Sequence, residues 1–147
     1  MKILVFGLPG SGKTTLSEGL AKLLSGVHIN ADEVRMKYEG KDVHKWDFSL
    51  QGRINQANRM KYLSEGVVMA GKIAVADFIC PTNEARKAFD ADFTIWMDTI
   101  KQGRYEDTNR MFEKPDSVDY HVSQWFNDTH VQLIDVVKSY MERHNIV

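Results

Sequence analysis

The chain has 147 residues, 43% of them hydrophobic, and a formal net charge of -1. That length suits one domain with one core, and near-neutrality excludes a surface that draws in nucleic acid or anionic lipid as a whole, though not a local basic patch. Cys80 is the only cysteine, so no internal disulfide forms, and no apolar run approaches the ~20 residues that cross a bilayer. The start of the chain reads as a core strand and not as a signal peptide, so the expectation is a soluble, cytoplasmic single domain over residues 1–147 that does not engage a membrane.

Residues 3–6 form a continuous apolar run, as a strand buried on both faces requires. Gly7-Leu8-Pro9-Gly10-Ser11-Gly12-Lys13-Thr14 then matches the P-loop pattern, and Thr15 follows it. Leu16, Leu20, Leu23 and Leu24 recur at helical spacing, so the loop opens into an amphipathic helix. Glycines in such a loop let successive N–H groups surround a phosphate, and the helix start adds partial positive charge. Gly7, Pro9, Gly10, Ser11, Gly12, Lys13, Thr14 and Thr15 are therefore the candidate ATP-binding residues, with Lys13 reaching the β and γ phosphates and the Thr14 hydroxyl on Mg²⁺. The competing reading is a glycine turn that binds nothing.

Ser25-Gly26 ends that helix, and residues 27–30 read as a second short strand. Asn30-Ala31-Asp32-Glu33-Val34-Arg35 follows at its C-terminal end, where ligands bind in open parallel sheets. Asp32 is a candidate general base, a Mg²⁺ ligand through water, or simply a helix N-cap. Arg35 is a candidate clamp for an anionic substrate, or a solvated helix charge. Residues 36–47 look polar and irregular. Trp46 and Phe48 could stack on a substrate base or plug the core from a loop.

Ser49 is an N-cap for a long helix to residue 64 or beyond, with Leu50, Ile54, Ala57 and Leu63 near one face and Arg53 and Arg59 nearer its polar side. Arg53 stands near the cleft, whereas Arg59 faces solvent or a carboxylate. Residues 73–76 read as a buried strand ending at Asp77, an arrangement like a Walker B element that holds Mg²⁺, though any buried strand ending in Asp matches it. The strand continues through Phe78 and Ile79 before turning. Cys80 reads as a half-buried side chain and not as a nucleophile, and Arg86 begins a short helical stretch. Residues 93–97 form a fourth strand. Residues 101–118 have no apolar period and read as a basic lid, in which Arg104 or Arg110 could neutralise a transferring phosphoryl group. Residues 119–122 make a fifth strand. Asn127-Asp128-Thr129 offers caps for a last helix whose buried face is Leu133, Val137, Tyr140 and Met141. His121, His130 and His144 have no partner at metal-ligand spacing. The order of elements gives an α/β fold, a three-layer sandwich of the P-loop NTPase type around a mainly parallel sheet of roughly five strands.

Several stretches together resemble the adenylylsulfate kinase family, P-loop kinases that phosphorylate the 3′-hydroxyl of adenosine 5′-phosphosulfate with ATP. Gly-Leu-Pro-Gly-Ser-Gly-Lys-Thr-Thr is similar to that family's Gly-Leu-Ser-Gly-Ser-Gly-Lys-Ser-Thr, and residues 30–35 resemble its Asp-Gly-Asp-Asn-Val-Arg. Phe48-Ser49 with Arg53 resembles a Phe-Ser-x-x-Asp-Arg element, and Phe78-Ile79-Cys80-Pro81 resembles Phe-Ile-Ser-Pro, with Arg86 matching a family arginine. The resemblance implies that Asp32 is catalytic, that Arg35 contacts the phosphosulfate, that Phe48 stacks on the acceptor's adenine, and that Arg53 binds its anion. The chain departs from the family at Asn30, Ala31, Gln56 and Cys80, and carries Asp77 where the family usually has no acid.

The expected function is thus an ATP- and Mg²⁺-dependent kinase in which Lys13, Asp32, Arg35 and Arg110 are catalytic, Asp32, Arg35, Phe48 and Arg53 hold a small anionic acceptor, and Thr14, Asp32 and Asp77 serve the metal. A nucleoside, nucleotide or polynucleotide end is the alternative acceptor, the one case in which nucleic acid is a partner. A non-catalytic nucleotide-binding protein is the reading from another class. A homodimer is compatible with all three.

Overall fold

The computed structural model describes residues 1–126 and 128–146. Five strands form one sheet: β1 (Lys2–Gly7), β2 (Val27–Asn30), β3 (Ala74–Asp77), β4 (Phe93–Met97) and β5 (Tyr120–Val122), in the spatial order β2-β3-β1-β4-β5. Every pairing is parallel, with Val5 opposite both Asp77 and Ile95, and Asn30 opposite Asp77. Parallel neighbours need crossovers, and helices supply them: α1 (Lys13–Leu23), α2 (Ala31–Glu39), α3 (Leu50–Met69), α4 (Asn83–Phe89), α5 (Glu106–Met111) and α6 (Thr129–Arg143). After β1 the chain runs to one edge of the sheet; after β3 it crosses to the other side of β1. The C-terminal end of β1 therefore lies where the strand order reverses, the usual crevice for a ligand in such sheets.

The strand period of two sorts β1 into two cores. Ile3 and Val5 pack with Leu16 and Leu20 of α1 and with Leu133 and Val137 of α6. Leu4 and Phe6 pack with Ala57 and Met60 of α3 and with Phe89 of α4. These are the three layers expected from sequence. Among the described residues no helix is long and apolar enough to cross a membrane.

Several local expectations are corrected. Leu23 is 44% exposed and lies off the buried face of α1. The stretch expected to be irregular begins as helix, because α2 runs on to Glu39 until Gly40, at φ +89°, ends it. β3 stops at Asp77 instead of continuing through Ile79: Cys80 takes a positive φ and Pro81 has no N–H to add to a ladder. Cys80 is fully buried, and burial pushes its thiol well up, away from reactivity. α4 starts at Asn83, before Arg86, on a bond from Ala85 N to Thr82 Oγ1. The lid segment contains the six-residue helix α5. Of the caps expected for α6, Asp128 takes the position but its side chain accepts from Gln132 Nε2 and from no backbone N–H among the described residues, and Asn127 lies outside the described residues.

The largest correction concerns α3. Ser49 caps it as expected, accepting from Gly52 N at 3.0 Å. Its buried face, however, is Arg53, Gln56, Ala57, Met60 and Ser64, while Leu50 is exposed. The first turns of α3 face a polar cleft and only the later ones face core, so apolar periodicity misplaces its inner side.

Candidate active site

The loop after β1 is a cradle. Gly10 and Gly12 take φ of +87° and +97°, which L side chains rarely adopt, and a Cβ at Gly7 would sit 2.4 Å from the Met97 carbonyl oxygen. Among the described residues no side chain caps α1, so its first amides are open to an anion. Lys13 Nζ curls back to donate to the Leu8 carbonyl at 3.0 Å. Burial pushes the Lys13 ammonium down; Asp77 and Asp32 partly restore it, and Arg104 adds to the lowering. Ser11 Oγ is buried with no partner among the described residues, while the Ser11 carbonyl accepts from Thr99 Oγ1 at 2.7 Å. Thr14 and Thr15 are exposed in the first turn of α1. Pro9 is buried and abuts Gly103 of the lid segment, where an added Cβ would meet its Cδ at 3.0 Å.

Beside the cradle, three donors converge on one oxygen of the buried Asp77. Thr14 Oγ1 lies 2.9 Å from Asp77 Oδ2, His28 Nε2 3.0 Å and Asn30 Nδ2 3.4 Å. A hydroxyl and a carboxylate side by side are the hard oxygen donors Mg²⁺ takes when phosphates and water complete its shell, so Thr14 and Asp77 fit that ion. Among the described residues no group of three or more His, Cys, Asp or Glu would hold a metal by itself. Asn30 also caps α2, its Oδ1 accepting from the amides of Asp32 and Glu33. The N-cap reading of Asp32 is therefore displaced by Asn30, and Asp32 stands exposed in the first turn of α2 on the wall of the same cleft.

That cleft has a volume of about 1130 Å³ and runs from the cradle to α2, α3 and α5. Its far wall is basic. Arg35, only 3% exposed, donates to Glu39 Oε2 at 2.7 Å and to the Asp47 carbonyl at 3.0 Å. The solvated reading of Arg35 fails. Arg53, 7% exposed, is not on a polar outer face either, and donates to Thr108 Oγ1 of α5 at 2.9 Å. Arg35 Nη2 and Arg53 Nε are buried with no partner among the described residues. Both guanidiniums lie over the Phe48 ring, 4.7 and 4.8 Å from its centroid, so the ring assigned by resemblance to a base already carries two cations. Burial lowers both arginines, Arg53 to about 10, with Arg35 adding to the effect on Arg53 and Glu39 opposing it at Arg35.

Glu39 also accepts from Arg59 at 2.7 Å and from the Asp47 amide at 2.7 Å. Burial pushes its carboxyl up, but that amide and the two guanidiniums outweigh it and leave it below the usual range. Gln56 lines the cleft and donates to the Ala31 carbonyl at 3.0 Å. Trp46 is half-buried on the cleft wall, belongs to neither core, and donates to the Gly40 carbonyl at 2.8 Å.

Of the two lid arginines, Arg104 lines the cleft and Arg110 does not. The Arg110 side chain is 69% exposed and pairs with Asp107 one turn earlier in α5. Arg86 stands apart from the cleft as well, held between Phe6 and Phe112 and donating to the carbonyls of Cys80 and Glu113. His121 meets Asp98 at 2.9 Å and stacks on Trp96.

Sequence reasoning passed over His28, Glu39 and Thr108. Two of them carried a signal. His28 and Asn30 share one face of β2 by the strand period, and Glu39 lies four residues after Arg35 on one helix. Thr108 had none.

Residues 3–96 match the family described as AAA domain. No curated protein sequence matches the chain. Solved structures of similar fold include the APS kinase CysC of Mycobacterium tuberculosis in complex with AMPPNP and APS, at 16% identity and a TM-score of 0.70, covering 93% of this chain and 96% of that one. They also include shikimate kinase from Aquifex aeolicus, at 19% identity and a TM-score of 0.61 over 99% of both chains. A gluconokinase from Sinorhizobium meliloti aligns at 14% identity and a TM-score of 0.59, over 97% of this chain and 92% of that one. At such identities the likeness carries the fold, a P-loop α/β sandwich, and APS kinases are among the structures that share it.

Proposed function

The chain belongs to the AAA-domain family, and on that footing we propose that it is a P-loop phosphotransferase which moves the γ-phosphoryl of Mg²⁺-ATP to a hydroxyl of a small anionic acceptor. The observation that carries this is the pair of deeply buried arginines, Arg35 and Arg53, which line the same cleft as the phosphate cradle and Asp32 and each keep a buried N–H with no partner among the described residues. Burying two guanidiniums without a full set of partners is costly unless an anion completes them. A plain nucleotide-binding switch has no use for such a wall.

The roles follow from position. The cradle amides and Lys13 hold the phosphates. Thr14 and Asp77 would hold Mg²⁺, which supplies charge neutralisation on the β and γ oxygens. Asp32 orients or deprotonates the acceptor hydroxyl. Arg35 and Arg53 fix the acceptor's oxyanion, so that the two reactants meet in line. Arg104, on the wall of the same cleft, would neutralise charge growing on the transferring group. Nothing here requires a covalent intermediate.

Adenosine 5′-phosphosulfate is the first acceptor to test. The resemblance in residues 30–35 and 48–53 supports it, and so does the presence of an APS-bound kinase among the structural neighbours. ADP release should be followed with Mg²⁺-ATP alone and with APS, shikimate or gluconate added. Release that depends on one acceptor and is lost in Asp32→Asn, with ATP binding kept, is the expected result. ATP binding without stimulation by any of them rejects these acceptors and sends the search to nucleosides, nucleotides and nucleic-acid ends. An active Asp32→Asn enzyme removes Asp32 from the chemistry.

A further inference from the structure

His28 sits on the edge strand β2, and its ring nitrogen Nε2 is 3.0 Å from Asp77 Oδ2, with side-chain exposures of 17% and 3%. A carboxylate only accepts, so Nε2 carries the proton and donates. Thr14, Asn30 and Asp77 line the cleft, but His28 does not. Whatever His28 does for the cleft therefore passes through Asp77.

The geometry points to His28 as the positioning residue of the magnesium site, an inference that rests on the Mg²⁺-ATP reading above. The Asp77 side chain has two torsions. Thr14 from the start of α1 and His28 and Asn30 from β2 approach one of its oxygens, and together they fix both torsions. The second oxygen is then the one offered to the ion or to its waters. The same arrangement prepares Thr14: a hydroxyl that gives its proton to Asp77 keeps its lone pairs for a cation. Asn30 is the weakest of the three, at 3.4 Å, and its Oδ1 is committed to capping α2. Among the described residues, His28 is thus the only strong restraint on Asp77 that is not itself a candidate ligand. Groups of this kind, behind the atoms that touch a metal, orient those atoms and commonly govern affinity.

The test uses the full chain and calorimetric ATP binding in Mg²⁺ and in EDTA, for wild type, His28→Leu and His28→Gln. The Gln amide places a donor near the position of Nε2. His28→Leu should lose about 10-fold of the affinity that Mg²⁺ adds, with binding in EDTA unchanged, and His28→Gln should keep it within about 3-fold. Mn²⁺ titration in the presence of ATP, followed by the loss of the free-ion resonance signal, should rank the three proteins in the same order. A His28→Leu protein with the full Mg²⁺ gain overturns the positioning role. Equal losses in Mg²⁺ and EDTA, or failure of both variants alike, assign His28 to packing of β2 and overturn it too. A wild-type chain that gains nothing from Mg²⁺ instead refutes the Mg²⁺-ATP reading itself.

Discussion

Thr14 Oγ1 donates to Asp77 Oδ2 across 2.9 Å, joining residues 63 positions apart. The bond links the start of α1, which follows β1, to the end of β3, the strand beside β1 in which Asp77 is in register with Val5. It makes one unit of the phosphate cradle and the strand-end carboxylate. Thr14→Val removes the hydroxyl while preserving shape. It should cost about 10-fold or more of the Mg²⁺-supported ATP affinity and little of the affinity in EDTA, measured by calorimetry, and Thr14→Ser should restore it. A Thr14→Val protein with normal Mg²⁺ dependence would remove Thr14 from the metal site.

Lys13 is a cation kept in an unfavourable place, since burial lowers it more than Asp77 and Asp32 raise it. Such a charge serves function at some expense of stability. Lys13→Met should lower ATP turnover on the order of 100- to 1,000-fold and leave the melting temperature within about 4 °C of wild type. Loss of turnover together with a collapsed melt would mean that Lys13 holds the loop through its bond to the Leu8 carbonyl.

Glu39 pairs with Arg35, one of the two proposed acceptor arginines, and with Arg59, and its ionisation should be visible in stability. Its folded carboxyl is held below the usual range of about 4.3. A lowered carboxyl contributes stability that is fully present above the unfolded value and is lost as pH falls through the folded one. Glu39→Gln should therefore cost about 2–3 kcal/mol near neutrality, by stranding Arg35 and Arg59. The gap between the two proteins should hold from about pH 6 to about 4.3 and shrink as pH drops on toward about 3. Denaturant melts across that range measure it, and a gap constant with pH would show that Glu39 acts through shape alone.

Much of this fold could be read from local chemistry. The apolar run of β1, the glycine spacing, Ser49 ahead of α3 and the short run at residues 93–97 each mark an element by its own residues. The proposed nucleotide half of the site could be read for the same reason: its residues, up to Lys13 and Thr14, are contiguous in sequence. In the proposed acceptor half Arg35 and Arg53 could be named as well, but their burial was not legible. Its arginines are buried by elements far away in sequence, Arg53 by Thr108 of α5 and Arg35 by the 47–48 loop. A helix that turns a polar stripe toward a ligand looks, by periodicity, as though its other side were the inner one. The choice between the lid arginines was open for a related reason, because it depends on which way a six-residue helix faces.

That choice yields the last prediction. α5 turns Asp107, Thr108 and Met111 to the cleft, and Arg104 enters from the turn before it, while Arg110 projects outward beside Asp107. A guanidinium acts on a transferring phosphoryl group only within a few ångströms, since in water the field of a distant charge is screened away. Arg104→Ala should thus lower kcat about 100-fold with a smaller change in KM for ATP, and Arg110→Ala should stay within about 3-fold of wild type, as exposed ion pairs contribute little. Steady-state kinetics with whichever acceptor stimulates ADP release measures both. If Arg110→Ala were the damaging change, α5 would have to turn about its own axis when substrates bind. The bond from Arg53 to Thr108 would then have to break, and the Arg53 donor it frees would pass to the acceptor.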